Sequence, residues 1–174
     1  KTGRSRLYTN QRNCCNYCEN KQPAILSAGQ EAKHNVTTGM KYPANRIKSV
    51  ISTGGSVYDT FTVLGDPALV EIIGYAGLDY VIIDTEHSNN TTEQVGNLIR
   101  AAELTSITPI VRITANKPEL ILRALDMGAG GILVPQVNTA EQAKAAVNAA
   151  RYAPLGDRGI AGVVRAARYG FVPM

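Results

Sequence analysis

The sequence predicts an α/β protein made of successive parallel βα units, the first four to five units of a (β/α)8 TIM barrel, behind a disordered N-terminal tail. Three observations carry that prediction. Short β-branched runs and amphipathic helical patterns alternate four times between residues 56 and 150, about 25 residues apart, which is the signature of consecutive βα units. Polar and charged residues stand at the ends of several of the strands, where parallel α/β proteins carry their chemistry. The competing doubly wound dinucleotide fold wants Gly-x-Gly-x-x-Gly after its first strand, and here that turn reads Val63-Leu-Gly-Asp-Pro67. A whole barrel needs roughly 250 residues; these 174 hold four clear units.

Taken in order, residues 1–42 show no helical or strand period and are rich in Asn, Lys, Gln, Thr and Gly. They are expected to be a disordered or adventitious tail, with the barrel domain occupying 43–174. Met40 stands just before the first patterned segment and is taken as the native start. Mass spectrometry finding a native terminus well before Met40 would overturn that expectation. Arg46 to Ile51 forms a short amphipathic helix closed by Gly54-Gly55. Val57 to Leu64 is β-rich, and Asp66-Pro67 then supplies a helix cap and a proline at the first helical position. That helix stops near Gly74 or Gly77, and Tyr80 to Ile83 makes the second strand. From about Thr92 a helix presents Val95, Leu98, Ile99 and Ala102 on one face. Pro109 to Ile113 is the third strand, and Asn116-Lys-Pro-Glu119 reads as the next helix start, capped by Asn116. Ile132 to Val134 is the fourth strand, and Thr139-x-x-Gln142 opens a capped, alanine-rich helix.

Charge divides the chain unevenly. The net +4 conceals nine Lys and Arg against two acids in residues 1–50, and nine against twelve in the remainder. The basic character thus belongs to the tail, and the patterned part gives no sign of nucleic-acid binding. No apolar run is long enough to span a membrane, and the basic N-terminus lacks the apolar core of a secretory signal. All three cysteines, Cys14, Cys15 and Cys18, lie in the tail. Structural zinc takes four ligands, and His34 is the one further candidate, at a poor spacing, so no zinc site is expected there. A cysteine-free body suits a reducing, cytoplasmic setting.

The chemistry concentrates in Asp79-Tyr-Val-Ile-Ile-Asp-Thr-Glu-His-Ser-Asn-Asn90. A buried strand opening into Asp84, Glu86 and His87 brings acid and base to one strand tip. Arg112 ends the next strand and Gln136 follows the one after. On residue type alone, Arg112 serves equally as a salt bridge closing a barrel, and Gln136 as a helix cap.

Five motifs in order then point to a family: Ile82-Ile-Asp-Thr-Glu-His-Ser-Asn-Asn90, Pro109-Ile-Val-Arg-Ile113, Ala124-Leu-Asp-Met-Gly128, Ile132-Leu-Val-Pro-Gln136 and Arg151-Tyr-Ala-Pro-Leu-Gly-Asp-Arg-Gly159. Over about residues 44–174 the chain resembles the N-terminal half of the HpcH/HpaI class II 2-keto-3-deoxy acid aldolases. Members it resembles act on 4-hydroxy-2-oxoheptanedioate, 2-keto-3-deoxyglucarate or 2-keto-3-deoxyrhamnonate. The resemblance implies divalent-metal-dependent (Mg, Mn or Co), reversible aldol cleavage to pyruvate and an aldehyde. It implies His87 as base and Asp84 as the partner fixing its tautomer. Arg112 would hold the keto oxygen and carboxylate, with Gln136 and Glu86 beside the substrate. Asp126 and Arg165 match positions near the family's site, reached from a neighbouring subunit; read singly they are surface charges. The Arg158-Gly159 turn would belong to a loop beside the site. The metal-binding Glu and Asp of the family lie on two later strands, beyond Met174, so no metal ligand is expected within this chain. The resemblance also implies a homo-oligomer, a hexamer in the family, that exchanges a terminal helix.

Three functions follow from this. The first is the aldolase itself, with little or no turnover expected from these 174 residues alone. The second is a non-catalytic fragment or pseudogene product lacking the metal site. The third is an acyl-CoA lyase of the citrate-lyase β-like branch, disfavoured by Glu86-His87 beside Asp84.

Overall fold

The structure, a computed structural model, describes residues 45–171. The tail, Met40 and the three cysteines lie outside that range. Four strands, β1 (Asp59–Thr62), β2 (Tyr80–Asp84), β3 (Thr108–Arg112) and β4 (Gly131–Leu133), form one sheet in the order β1-β2-β3-β4. All three pairings are parallel. The connections are helices α2 (Pro67–Tyr75), α3 (Thr92–Leu104) and α4 (Pro118–Asp126), with α1 (Arg46–Ser52) before β1 and α5 (Ala140–Ala150) after β4.

Each helix starts where its sequence stops competing with it. The Asp66 side chain accepts from the Ala68 N–H, with Pro67 pre-setting the first turn of α2. Thr91 with Gln94, and Thr139 with Gln142, form complete capping boxes at α3 and α5. The expected cap of α4 is corrected. Lys117 occupies the N-cap position without a side-chain bond, and Asn116 instead donates from Nδ2 to the Gln142 carbonyl at 3.0 Å. Pro118, which has no N–H to satisfy, lets this helix start without that cap. The first strand is also shorter than the β-rich run Val57 to Leu64, because β1 is an edge strand paired on one side over four residues.

The side-chain alternation along the strands divides the sheet into two faces. Val81, Ile83 and Val111 point to the helices, where they are fully or almost fully buried against Val70 and Ile73 of α2, Leu98 and Ile99 of α3, and Ile121 of α4. Each such side chain withdrawn from water contributes about 1.5–3 kcal/mol before entropy is counted. Phe61, Ile82 and Ile110 are in register with one another and face the other way. Sequential strand order with the helices gathered on one face is how a (β/α)8 barrel begins, and a doubly wound sheet would place helices on both faces. The chain is thus a partial barrel. At Gly74 of α2 an added Cβ would collide with Thr105, which follows α3, so the two helices approach as closely as a missing side chain permits.

The amino ends of the strands are closed by α1. Arg46 pairs with the buried Asp79 at 2.5 Å, and Asp79 also accepts from the Tyr58 N–H. Among the described residues no helix is long and apolar enough to cross a membrane.

Candidate active site

The register of the β2–β3 ladder places Asp84 beside Arg112, the last residues of their strands, both facing away from the helices. Their side chains meet in a two-point ion pair. Arg112 Nε donates to Asp84 Oδ1 at 2.9 Å and Nη2 donates to Oδ2 at 2.5 Å. Asp84 is 2 % exposed, so both charges depend on each other for solvation. The same Oδ1 accepts from the backbone N–H of Glu86 at 2.8 Å and of His87 at 3.2 Å, which curls the chain back over the strand tip.

The loop that carries His87 is tied down on both sides. Thr85 donates to the Arg112 carbonyl through its N–H (3.0 Å) and its Oγ1 (2.6 Å). Ser88 Oγ and Asn90 Nδ2 both donate to the Asp84 carbonyl, and Asn90 reaches on to the Val63 carbonyl at the end of β1. Such second contacts hold a functional group within a narrow geometry.

Arg112 is held on three sides. Besides Asp84, Glu86 Oε2 lies 3.4 Å from its Nε, and the Phe61 ring centroid lies 5.3 Å from its guanidinium carbon. Asp84 uses the Nε–Nη2 edge, which leaves Nη1 and the second Nη2 hydrogen as a free donor fork. Burial alone would raise the Asp84 carboxyl, but Arg112 and the His87 and Glu86 N–H groups outweigh it and hold it below the usual carboxylate range. Its hydrogen bond to Asp84 raises Arg112 in turn, so both groups are charged throughout the physiological range.

The expected pairing of Asp84 with the His87 imidazole takes a different form. Asp84 reaches His87 through the backbone N–H, and its carboxylate is engaged by Arg112. The imidazole is 70 % exposed and its Nε2 lies 3.9 Å from Glu86 Oε2. The physical cause is competition: a guanidinium across the ladder offers two aligned donors at a fixed register, and a loop imidazole offers one.

Gln136 stands just past β4 with φ of 54°, a left-handed conformation costly for a residue with a Cβ, and its carbonyl accepts from Asn138 Nδ2. Asp126 and Arg165 are brought elsewhere. Asp126 ends α4 and pairs with Arg158 at 2.7 Å; Arg165 pairs with Glu103 at 2.7 Å near the end of α3. Helices that return antiparallel to the strands end at the strands' amino side. Both pairs therefore lie at the opposite end of the sheet from Asp84 and Arg112, and so does the Arg158-Gly159 turn. Phe61 is a site residue that the sequence does not single out; the available signal is its place near the end of the first β-rich run.

Among the described residues no three His, Cys, Asp or Glu side chains gather into a set able to hold a metal ion. These residues do not make a metal site by themselves.

In (β/α)8 barrels the carboxyl ends of the strands, where Asp84 and Arg112 stand here, are where active sites are built. Residues 58–167 match the family described as HpcH/HpaI aldolase/citrate lyase, and the chain belongs to that family. It is 43% identical over 111 residues to a 2-dehydro-3,6-dideoxy-6-sulfogluconate aldolase of Pseudomonas putida, covering 64% of this chain and 44% of that protein. It is 40% identical over 134 residues to a pyruvate aldolase of Rhizobium etli, covering 77% and 53%. An HpcH/HpaI aldolase/citrate lyase family protein from Burkholderia cenocepacia superposes with a TM-score of 0.67 at 35% identity, over 73% of this chain and 52% of that one. The citrate synthase SbnG superposes with a TM-score of 0.65 at 43% identity, over 67% and 48%. The chain spans about half the length of the curated relatives it matches.

Proposed function

We propose that this chain supplies the keto-acid-binding and proton-transfer part of an aldolase that reversibly cleaves a 2-keto-3-deoxy (4-hydroxy-2-oxo) acid to pyruvate and an aldehyde. The observation that carries this reading is the Asp84–Arg112 pair, which leaves one guanidinium fork free beside an exposed imidazole. A 2-oxo acid presents a carboxylate and a keto oxygen side by side, and that fork matches their spacing.

In the cleavage direction His87 takes the proton of the C4 hydroxyl. The C3–C4 bond breaks, its electron pair moves into the enolate of pyruvate, and the C4 carbon leaves as the aldehyde carbonyl. Arg112 faces the oxygen on which the enolate charge develops and stabilises it with donors already in place. Proton return to C3 then gives pyruvate. Asp84 keeps the planar guanidinium aimed, and Gln136, just past the next strand, would add a polar contact.

A divalent metal remains part of this proposal, held by carboxylates outside the described residues and supplying Lewis-acid stabilisation of the enolate. Homo-oligomeric assembly and a cytoplasmic location belong to it as well. So does a tail (1–42) set apart from the barrel domain (43–174). Asp126 and Arg165 enter such a site from a neighbouring subunit, consistent with their distance from Arg112 within the chain. The family's description as aldolase/citrate lyase, with the likeness to a citrate synthase, favours a second reading, a citrate-lyase-like activity that would act on an acyl-CoA thioester. The deciding assay supplies the protein with pyruvate, a divalent metal and a panel of aldehydes, and in parallel with a citryl thioester. Aldol product from pyruvate alone supports the first reading; turnover of the thioester alone replaces it with the second.

A further inference from the structure

We propose that Glu86 is the positioning residue of His87 and the electrostatic link between His87 and Arg112. The inference rests on the reading of His87 as base and Arg112 as keto-acid clamp, and it adds the residue that couples them. One carboxylate oxygen, Glu86 Oε2, lies 3.9 Å from His87 Nε2 and 3.4 Å from Arg112 Nε. The Glu86 side chain is 14 % exposed, so it sits beneath the 70 % exposed imidazole on the protein side. Asp84 cannot take that place as the structure stands, because its carboxylate receives two guanidinium bonds and two backbone bonds.

Asp84 and Glu86 come from the segment of His87 itself, and Arg112 comes from β3. The ends of β1 and β4 contribute Phe61, Thr62, Leu133 and Gln136, all uncharged, and the helix starts at this end add Asp66 before α2, Glu93 in α3, Lys117 and Glu119 at α4 and Glu141 in α5. Glu86 therefore faces both the Arg112 guanidinium and the His87 imidazole. When a substrate carboxylate takes the other fork of Arg112, the guanidinium gains a third anion beside Asp84 and Glu86, and its hold on Glu86 weakens. The freed carboxylate then favours the imidazolium, so substrate binding raises the basicity of His87 when a base is needed.

The test reads His87 directly by NMR titration of its imidazole in the whole protein, with and without pyruvate. Substituting Glu86→Gln keeps shape and removes charge. It is expected to move the His87 midpoint to lower pH, because the carboxylate beside the imidazole is gone. Adding pyruvate should raise the midpoint more in the wild type than in Glu86→Gln, where the ligand's own charge alone acts on the imidazole. A wild-type midpoint that Glu86→Gln does not move overturns the proposal, and so does an equal pyruvate-induced rise in both proteins. His34, the other histidine of these 174 residues, is removed by His34→Gln, and the His87 signal is assigned by its disappearance in His87→Gln. Glu86→Asp, which keeps the charge on a shorter stem, should retain part of the shift. The comparison of wild type with Glu86→Gln in the absence of pyruvate reads the Glu86–His87 contact whatever the reaction, whereas a wild type that does not respond to pyruvate at all counts against the keto-acid reading of Arg112.

Discussion

Substituting Asp84→Asn tests the ion pair on which the site is built. The change preserves shape, and Oδ1 can still accept from Arg112 Nε and from the Glu86 and His87 N–H groups. The other oxygen becomes an NH2 group facing Arg112 Nη2, so a charge-assisted bond of 2.5 Å becomes two donors in opposition. Losing one such bond at a 2 % exposed residue costs about 2 kcal/mol. For a domain of this size that lowers the melting temperature by about 4–8 °C. The pH dependence supplies the sharper check. The folded-state pKa of Asp84 is depressed, so its contribution is fully present above its unfolded value, about 3.9, and is lost as the pH falls through the lower folded value. Thermal melts by circular dichroism from pH 7 down to pH 3 should show the wild-type and Asp84→Asn proteins far apart at neutrality. The gap should begin to close below about pH 4, where Asp84 of the unfolded chain takes up its proton, and go on closing toward the lower folded value. Asp79, also depressed through Arg46 and the Tyr58 N–H, titrates in both proteins and cancels in the difference. A gap that stays constant across this range would mean that the Asp84 charge does not support the fold, and the argument for the pair would fall with it.

Other expectations concern chemistry and packing. Arg112→Lys removes the planar fork and leaves a point charge; pyruvate affinity by calorimetry should fall by about one to two orders of magnitude, one charge-assisted bond's worth. His87→Ala should lower turnover of the whole enzyme about 100-fold or more and leave pyruvate affinity within a few-fold, as loss of a general base does. If the proposed metal is required, chelation should abolish turnover, and Mg, Mn or Co should restore it. Leu98→Ala, at a fully buried core position, should cost about 2–5 kcal/mol in urea unfolding.

The fold was legible because its signals are local. Thr91 and Gln94, Thr139 and Gln142, and Asp66-Pro67 announce their helices through bonds made within four residues, and the apolar spacing of Val95, Leu98, Ile99 and Ala102 announces the buried face of α3. Asn116 misled because its side chain has a choice: the pattern offered it a helix start, and tertiary structure offered the Gln142 carbonyl. The same kind of choice separates the readable from the unreadable part of the site. Asp84, Glu86, His87 and Arg112 could be named from their strand ends. Which carboxylate serves which cation depends on the β2–β3 register, a long-range property that no short motif encodes. Arg165, 62 residues from its partner Glu103, is placed by the same kind of contact.

That register also explains why the chemistry lies on one side of the sheet. Along β2, Val81 and Ile83 face the helices and are completely buried, and Ile82 and Asp84 face the other way. A one-residue slip of β3 would pair Asp84 with Val111 or Ile113 and turn Arg112 into the apolar layer that holds Leu98 and Ile121. Burying an unpaired guanidinium there would cost far more than the slip could gain. The Asp84–Arg112 pair therefore does two things through one contact. It fixes the strand alignment that builds the helix-covered core, and it holds the arginine fork on the face that Phe61, Ile82 and Ile110 line. A substitution that loosens the pair should therefore weaken ligand binding and strand pairing together.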